Sequence, residues 1–311
     1  MKIYISNFLY LVVSFAILFS SCKAGKHIIS KEEANIRFTN EHSKFMEIGN
    51  TKIHYRDEGE GFPILLIHGF AASLHTWEKI KPELIANGYR TISFDLPGFG
   101  LTDYPIDDER IPKDVYFEYI GLFLQKMQIE KMHVAGNSLG GWVAWELAYQ
   151  YPNMVDKLVL LDAAGYDIED TNASAVKMGG KKIFKGFAKS GVNRFIVKQM
   201  IKQSYGDKKL VTDEMIDFYY GLANREGNIA FIQHLANNLV EPESERIKEI
   251  KNKTLILWGT NDRLIDVKDA SKFMKDLDND QVIIYEGVGH TPMEECPEKC
   301  ATDMIRFLKE E

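Results

Sequence analysis

Continuous apolar runs recur along this chain at Pro63 to Ile67, Thr91 to Phe94, Met132 to Ala135, Leu158 to Leu161, Thr254 to Trp258 and Val282 to Tyr285. Short runs of this kind suit strands buried on both faces of a parallel sheet. Ahead of them, Phe45 to Ile48 and Lys52 to Arg56 alternate apolar and polar around Gly49-Asn50, which predicts a hairpin. Between the runs, Trp77 to Ala86, Val115 to Met127, Trp142 to Tyr149, Val267 to Leu277 and Glu298 to Leu308 carry apolar residues at helical spacing. Strands alternating with helices predict the α/β class, with a doubly wound, mostly parallel sheet. From Gly165 to Arg246 the alternation stops. Phe184, Phe187, Phe195, Ile196, Met200, Phe218, Tyr219 and Leu222 fall at helical spacing with no buried strand between them. Residues 165–246 are therefore expected to form a helical cap inserted between core segments 44–164 and 247–311.

The first residues follow a different pattern. Lys2 precedes an apolar stretch from Phe8 to Phe19, broken only by Ser14, and Ser20, Ser21 and Cys22 follow. The stretch is short for a membrane span, which needs roughly 20 apolar residues, and has the charged, apolar and small-residue parts of a secretory signal. Leu18-Phe19-Ser20-Ser21-Cys22 resembles the lipobox of bacterial lipoproteins, with Phe19 standing where that motif usually has leucine. The resemblance implies removal of residues 1–21, a lipid on Cys22, and a protein exported and anchored to a membrane on its periplasmic or surface side; an uncleaved anchor and a plain cleaved signal are the alternatives. Residues 22–43, polar and without clear periodicity, are expected to be a tether.

Composition adds limits. Hydrophobic residues make up 45% and charged residues 27% of 311, ordinary values for a folded globular chain. A formal net charge of -7 argues against nucleic acid as partner, which needs a basic surface. Lys177, Lys181, Lys182, Lys185 and Lys189 form a basic cluster inside the cap, read as a solvated helix face or as a contact for an anionic membrane surface or acidic substrate. Beyond Cys22 the cysteines are Cys296 and Cys300. One helical turn would set their Cα atoms about 6 Å apart, so a disulfide and two unlinked thiols are both compatible. No Cys/His spacing points to a metal site.

The chemistry centres on Gly136-Asn137-Ser138-Leu139-Gly140-Gly141, entered by an apolar run and left by a helical one. Gly-x-Ser-x-Gly between strand and helix describes a nucleophile elbow, where side chains at the two glycines would collide with neighbouring elements. A nucleophilic serine needs a base, an acid to orient the base, and donors for the oxyanion. His290 follows the last predicted strand in Gly287-Val288-Gly289-His290-Thr291-Pro292, and Asp262 follows the strand before it in Leu257-Trp258-Gly259-Thr260-Asn261-Asp262. His68-Gly69-Phe70 ends another strand.

These motifs, in this order, resemble those of the α/β-hydrolase family from about Phe45 to Leu308, including Asp95-Leu96-Pro97-Gly98-Phe99-Gly100 after a strand. The resemblance implies Ser138 as nucleophile, Asp262 and His290 as its acid and base, the backbone N–H groups of Phe70 and Leu139 as oxyanion hole, and no metal or organic cofactor. Asp162 also ends a strand and is the other candidate acid. His68 and Asp95 are expected to shape loops and Asp266 to supply a helix N-terminal charge, while His54, His75, His133 and His234 have no partner pattern. A serine at the elbow, in place of a carboxylate, disfavours alkyl-ester chemistry on epoxides or haloalkanes. Among capped serine members the motifs resemble bacterial lipases and carboxylesterases, which implies a small-molecule ester as substrate and an acyl pocket lined by the aromatic-rich cap. The meta-cleavage carbon-carbon hydrolases are the alternative; they call for a cationic group near the substrate carboxylate, with Arg194 and Arg225 as candidates. A non-catalytic binding module on the same scaffold is the third reading.

Overall fold

The computed structural model describes residues 28–104, 112–166, 191–237, 243–278 and 280–310. Eight strands, β1 (Lys44–Ile48), β2 (Thr51–Glu58), β3 (Phe62–Ile67), β4 (Tyr89–Phe94), β5 (Met132–Asn137), β6 (Val155–Leu161), β7 (Lys253–Gly259) and β8 (Asp280–Tyr285), form one sheet in the order β1-β2-β4-β3-β5-β6-β7-β8. The β1–β2 and β2–β4 pairs are antiparallel and the rest are parallel. Each apolar run of the sequence lies within one of these strands.

Alternate residues of a strand point to opposite faces. On one face Leu65, Ile67, Val134, Leu158, Leu160, Ile256 and Trp258 are buried with side chains of the helices Pro112–Lys126, Leu139–Gln150 and Lys268–Asp276. On the other face Ile64, Leu66, Ala135, Val159, Leu161, Leu255 and Leu257 pack with the helices Lys81–Ala86 and Pro297–Leu308. Burying each such side chain contributes about 1.5–3 kcal/mol, which explains why the central strands tolerate so few polar residues. We number the helices α1 (Lys31–Phe38), α2 (Lys81–Ala86), α3 (Pro112–Lys126), α4 (Leu139–Gln150), α5 (Arg194–Ser204), α6 (Asp213–Ala223), α7 (Asn228–Asn237), α8 (Lys268–Asp276), α9 (Pro292–Glu295) and α10 (Pro297–Leu308).

The described part of the cap is α5, α6 and α7. It has its own cluster of Val192, Ile196, Val197, Ile201, Tyr205, Ile216 and Ile229, while Phe231 and Leu235 of α7 join the main core. Phe195, expected among the packed positions, is 52% exposed. Phe184, Phe187 and the lysine cluster at 177–189 lie outside the described residues, as do the signal and Cys22.

The tether reading of residues 22–43 requires correction from residue 28 onward. Ser30 caps α1 by accepting the Glu33 N–H at 3.1 Å, and Ala34 and Phe38, one turn apart, are buried against Leu101 and Leu222. A Ser-x-x-Glu capping signature with an i, i+4 apolar pair is enough to nucleate a helix that has somewhere to pack. Ile29 also bridges to Arg225 of the cap. Cys296 and Cys300 are free thiols; Cys300 is buried against Met304.

Candidate active site

Ser138 stands between the end of β5 and the start of α4 with φ 55° and ψ −119°, a backbone conformation that L-residues avoid. Its surroundings over-determine that strain. The Ser138 N–H donates to the Leu161 carbonyl at 3.1 Å, and the Ser138 carbonyl accepts from Trp142 and Ala164 at 3.1 and 3.0 Å. A Cβ on Gly136 would overlap the Gly140 carbonyl, and one on Gly140 would overlap the carbonyls of Ile67 and His68. The tight turn thus needs both glycines because strand, helix and the end of β3 meet there. The His68–Phe70 loop lies against the elbow: a Cβ on Gly69 would sit 3.1 Å from that of Ser138. Among the described residues, the N–H groups of Phe70 and Leu139 donate to no acceptor, and the Ser138 hydroxyl makes no hydrogen bond.

Asp262 and His290 meet. Asp262 Oδ2 accepts from His290 Nδ1 at 2.7 Å, and its Oδ1 accepts the N–H groups of Leu264 and Ile265 at 2.7 and 3.1 Å. The pair is nearly sealed, with side-chain exposures of 0% and 5%. With Nδ1 carrying the proton toward Asp262, Nε2 is left as the acceptor. Asn137 ties this pair to the elbow: its Nδ2 donates to the carbonyls of His290 and Leu161 at 2.9 and 3.1 Å. The sequence pattern offered only its place beside Ser138 as a signal. Asp162, the other candidate acid, accepts the Gly259 N–H at 2.9 Å and lies beside Asp262, while the bond to His290 goes to Asp262. Asp162, Asp262 and His290 converge within 4.8 Å, but the imidazole nitrogen involved is already bonded to Asp262, so the trio reads as a hydrogen-bonded set and not as a cation site.

Other expected roles resolve by geometry. His68 Nε2 accepts the Leu96 N–H at 2.9 Å and its Nδ1 donates to the Gly69 carbonyl at 2.8 Å; burial pushes this imidazole below its ordinary pKa, so it shapes the loop as a neutral ring. Asp95 accepts from Leu74, Leu101 and His54. Burial alone would raise its carboxyl, but the charge and hydrogen bond of His54 outweigh that and hold it well below the usual range. Asp266 accepts the Lys268 N–H at the start of α8. His54 completes an arrangement no motif announced: its Nε2 lies 3.0 Å from Ser43 Oγ and its Nδ1 2.7 Å from Asp95. Ser43 accepts the Asn40 N–H and precedes an edge strand, far from any strained turn or helix start, so this Ser-His-Asp chain fastens the N-terminal segment. His75 lies between Ser73 and the Phe38 carbonyl, His133 lies 3.4 Å from Asp156, and His234 meets the Tyr104 hydroxyl at 3.3 Å.

The cap touches the His290 loop directly. The His290 N–H donates to the Ser204 carbonyl at 2.7 Å, and the Glu295 carboxylate accepts N–H groups of Gly289, Gly206 and Asp207 at 2.8, 2.8 and 3.3 Å. Glu294 accepts the hydroxyls of Tyr205 and Tyr219, again joining cap to core. Phe70, 42% exposed, starts a chain of ring contacts through Phe99 to Phe231 of the cap, with centroids 5.5 and 5.0 Å apart. Arg194 is bound to Asp213 and Asp217, and Arg225 to Asp103 and the Leu101 carbonyl.

A strand-elbow-helix serine, an Asp-His pair delivered from the next strand ends and a cap after β6 define a lineage as well as a site, and the family model for the alpha/beta hydrolase fold matches residues 63–297. The chain belongs to the alpha/beta hydrolase family. Its alpha/beta hydrolase relatives include meta-cleavage hydrolases and lipases. A 2-hydroxy-6-oxononadienedioate/2-hydroxy-6-oxononatrienedioate hydrolase of Comamonas testosteroni is 30% identical over 266 residues, covering 80% of this chain and 90% of the relative. The structure of a meta-cleavage product hydrolase from Pseudomonas fluorescens IP01 superposes with a TM-score of 0.74 at 25% identity, covering 85% of this chain and 97% of that one. The structure of a putative lipase from Acinetobacter baumannii AYE gives 0.73 at 25% identity, covering 99% of this chain and 97% of that one.

Proposed function

We propose that this hydrolase cleaves carboxylic esters through an acyl-enzyme on Ser138. The observation that carries the reading is the convergence of the strained Ser138, the loop with free N–H groups and the Asp262–His290 pair at one end of the sheet. Ser138 Oγ attacks the ester carbonyl carbon while His290 Nε2 takes its proton; Asp262 holds the imidazole tautomer and balances the charge that forms. The N–H groups of Phe70 and Leu139 receive the oxyanion. His290 then protonates the leaving alkoxide, and a water activated by the same nitrogen releases the acid.

Ester chemistry is favoured over carbon-carbon cleavage by the two arginines. A dienoate substrate brings a carboxylate that wants a cation, and Arg194 and Arg225 are both already paired with aspartates. The match to a putative lipase over nearly the whole chain points the same way. The second reading, a carbon-carbon hydrolase, draws on the identity to the Comamonas enzyme. A panel of p-nitrophenyl esters and a 2-hydroxy-6-oxo-dienoate, run on wild type and Ser138→Ala, separates them. Turnover of esters lost in the variant supports the proposal; turnover of the dienoate alone overturns it.

We also propose that Cys22 carries lipid and anchors the enzyme to a membrane after export, on the strength of the Leu18–Cys22 motif. Cells expressing the full chain and fed an alkynyl fatty acid should label it, and Cys22→Ser should abolish the label; label that persists in the variant contradicts the anchor.

A further inference from the structure

Asp162 is a buried carboxyl that the acyl-transfer steps leave unused. It closes β6 with φ 45° and is fully buried. Its Oδ1 accepts the Gly259 N–H at 2.9 Å, whereas its Oδ2 is buried and receives no donor among the described residues. An oxygen of Asp162 and one of Asp262 lie within 4.8 Å of each other. Two ionised carboxylates cannot share such a site cheaply, since like charges in a sealed environment repel without screening. One proton between them resolves both the repulsion and the unpartnered oxygen.

The donors decide which residue holds it. Asp262 receives three: His290 Nδ1–H and the N–H groups of Leu264 and Ile265. Asp162 receives one, from Gly259. Hydrogen bonds to a carboxylate favour its ionised form, so the charge belongs on Asp262 and the proton on Asp162. We infer that Asp162 is a neutral carboxylic acid whose Oδ2–H donates to the Asp262 carboxylate, making it a positioning residue for the Asp262–His290 pair. That bond would hold Asp262 in its place beside the imidazole. Burial, first, and then the negative charges of Asp262 and Glu295 push the Asp162 carboxyl well above its ordinary value. The other titratable groups facing it are the Cys296 and Cys300 thiols, themselves raised by burial, and His290; β6 itself offers only Asp156 and Lys157, at its far end.

The inference rests on the triad reading, so the experiment measures the proton independently of turnover. Asp162→Asn keeps one acceptor for Gly259 and gains a permanent N–H donor for Asp262, whereas Asp162→Ala keeps neither. Infrared difference spectra at neutral pH should show a protonated-carboxyl C=O stretch in wild type that Asp162→Asn lacks. With the ester substrate, Asp162→Asn should keep kcat within about threefold and lose the alkaline fall of the pH profile that ionisation of Asp162 causes, while Asp162→Ala should lose about tenfold or more in kcat with KM little changed. A spectrum in which Asp162→Asn removes no such band, or an Asp162→Asn enzyme as impaired as Asp162→Ala, overturns the inference. An enzyme whose Ser138→Ala variant stays active fails the triad reading instead, and the infrared band still reports on the proton.

Discussion

At the scale of single residues, the account turns on a few atoms held in costly positions. Asp262→Asn would present an N–H to His290 Nδ1 and force the proton onto Nε2, the nitrogen that must accept from Ser138. We expect kcat to fall by about three to four orders of magnitude with KM little changed. A loss confined to KM in steady-state ester kinetics would contradict the role. Gly140→Ala would drive a methyl into the Ile67 and His68 carbonyls and separate the elbow from the end of β3. Overpacking of this kind costs about 1–3 kcal/mol, and chemical denaturation should show that loss together with lost activity. Ser138, Asp262, His290 and both glycines stand out in the sequence because each belongs to a short motif at a strand end, and the structure pairs Asp262 with His290. Asp162 stands out in the sequence only as an alternative acid, and Asn137 and Glu295 carry no motif of their own. Their partners lie in segments distant in sequence, and no local pattern encodes a hydrogen bond between Asn137 and residue 290.

At the scale of elements, one carboxylate bridges the cap and the His290 loop from both sides. Glu295 gathers N–H groups from Gly206 and Asp207 of the cap and Gly289 of the histidine loop. Glu295→Ala would leave all three without their partner. Hydrogen exchange should then accelerate at 204–207 and 287–290 together; acceleration at only one of the two would show that they are not coupled through this side chain. The N-terminal helix offers a second test. Ser30→Ala removes the cap of α1 and should cost about 1 kcal/mol, seen as faster exchange across 31–38. Six strands were legible because a doubly wound sheet demands unbroken apolar runs, and β1 and β2 because their apolar and polar residues alternate around Gly49-Asn50. Helix α1 was missed because its apolar face is only Ala34 and Phe38, and its packing partners Leu101 and Leu222 come from loop and cap.

At the scale of the whole molecule, buried histidines set the response to acid. Burial, the larger influence in each case, brings His75 and His133 down to about 4 from 6.5. Their folded pKa values lie below the unfolded one, so between pH 6.5 and about 4 the unfolded chain binds protons that the folded one does not. Stability therefore falls as pH drops through that window, by up to about 3 kcal/mol for each ring. Thermal melts from pH 7 to 4 should show the decline, and His133→Gln should flatten it; a wild-type Tm independent of pH across the window would contradict the assignment.

The central claim is that Ser138 is the nucleophile of this alpha/beta hydrolase, and the molecule contains its own control. Ser43, His54 and Asp95 form a second Ser-His-Asp chain, with Ser43 Oγ 3.0 Å and Asp95 2.7 Å from the ring nitrogens. Peptide mapping after reaction with a fluorophosphonate discriminates between the two serines in one measurement. The account predicts a single adduct, on the peptide carrying Ser138, absent from Ser138→Ala. An adduct on the Ser43 peptide, or a wild-type enzyme that hydrolyses esters with Ser138 unmodified, would contradict it.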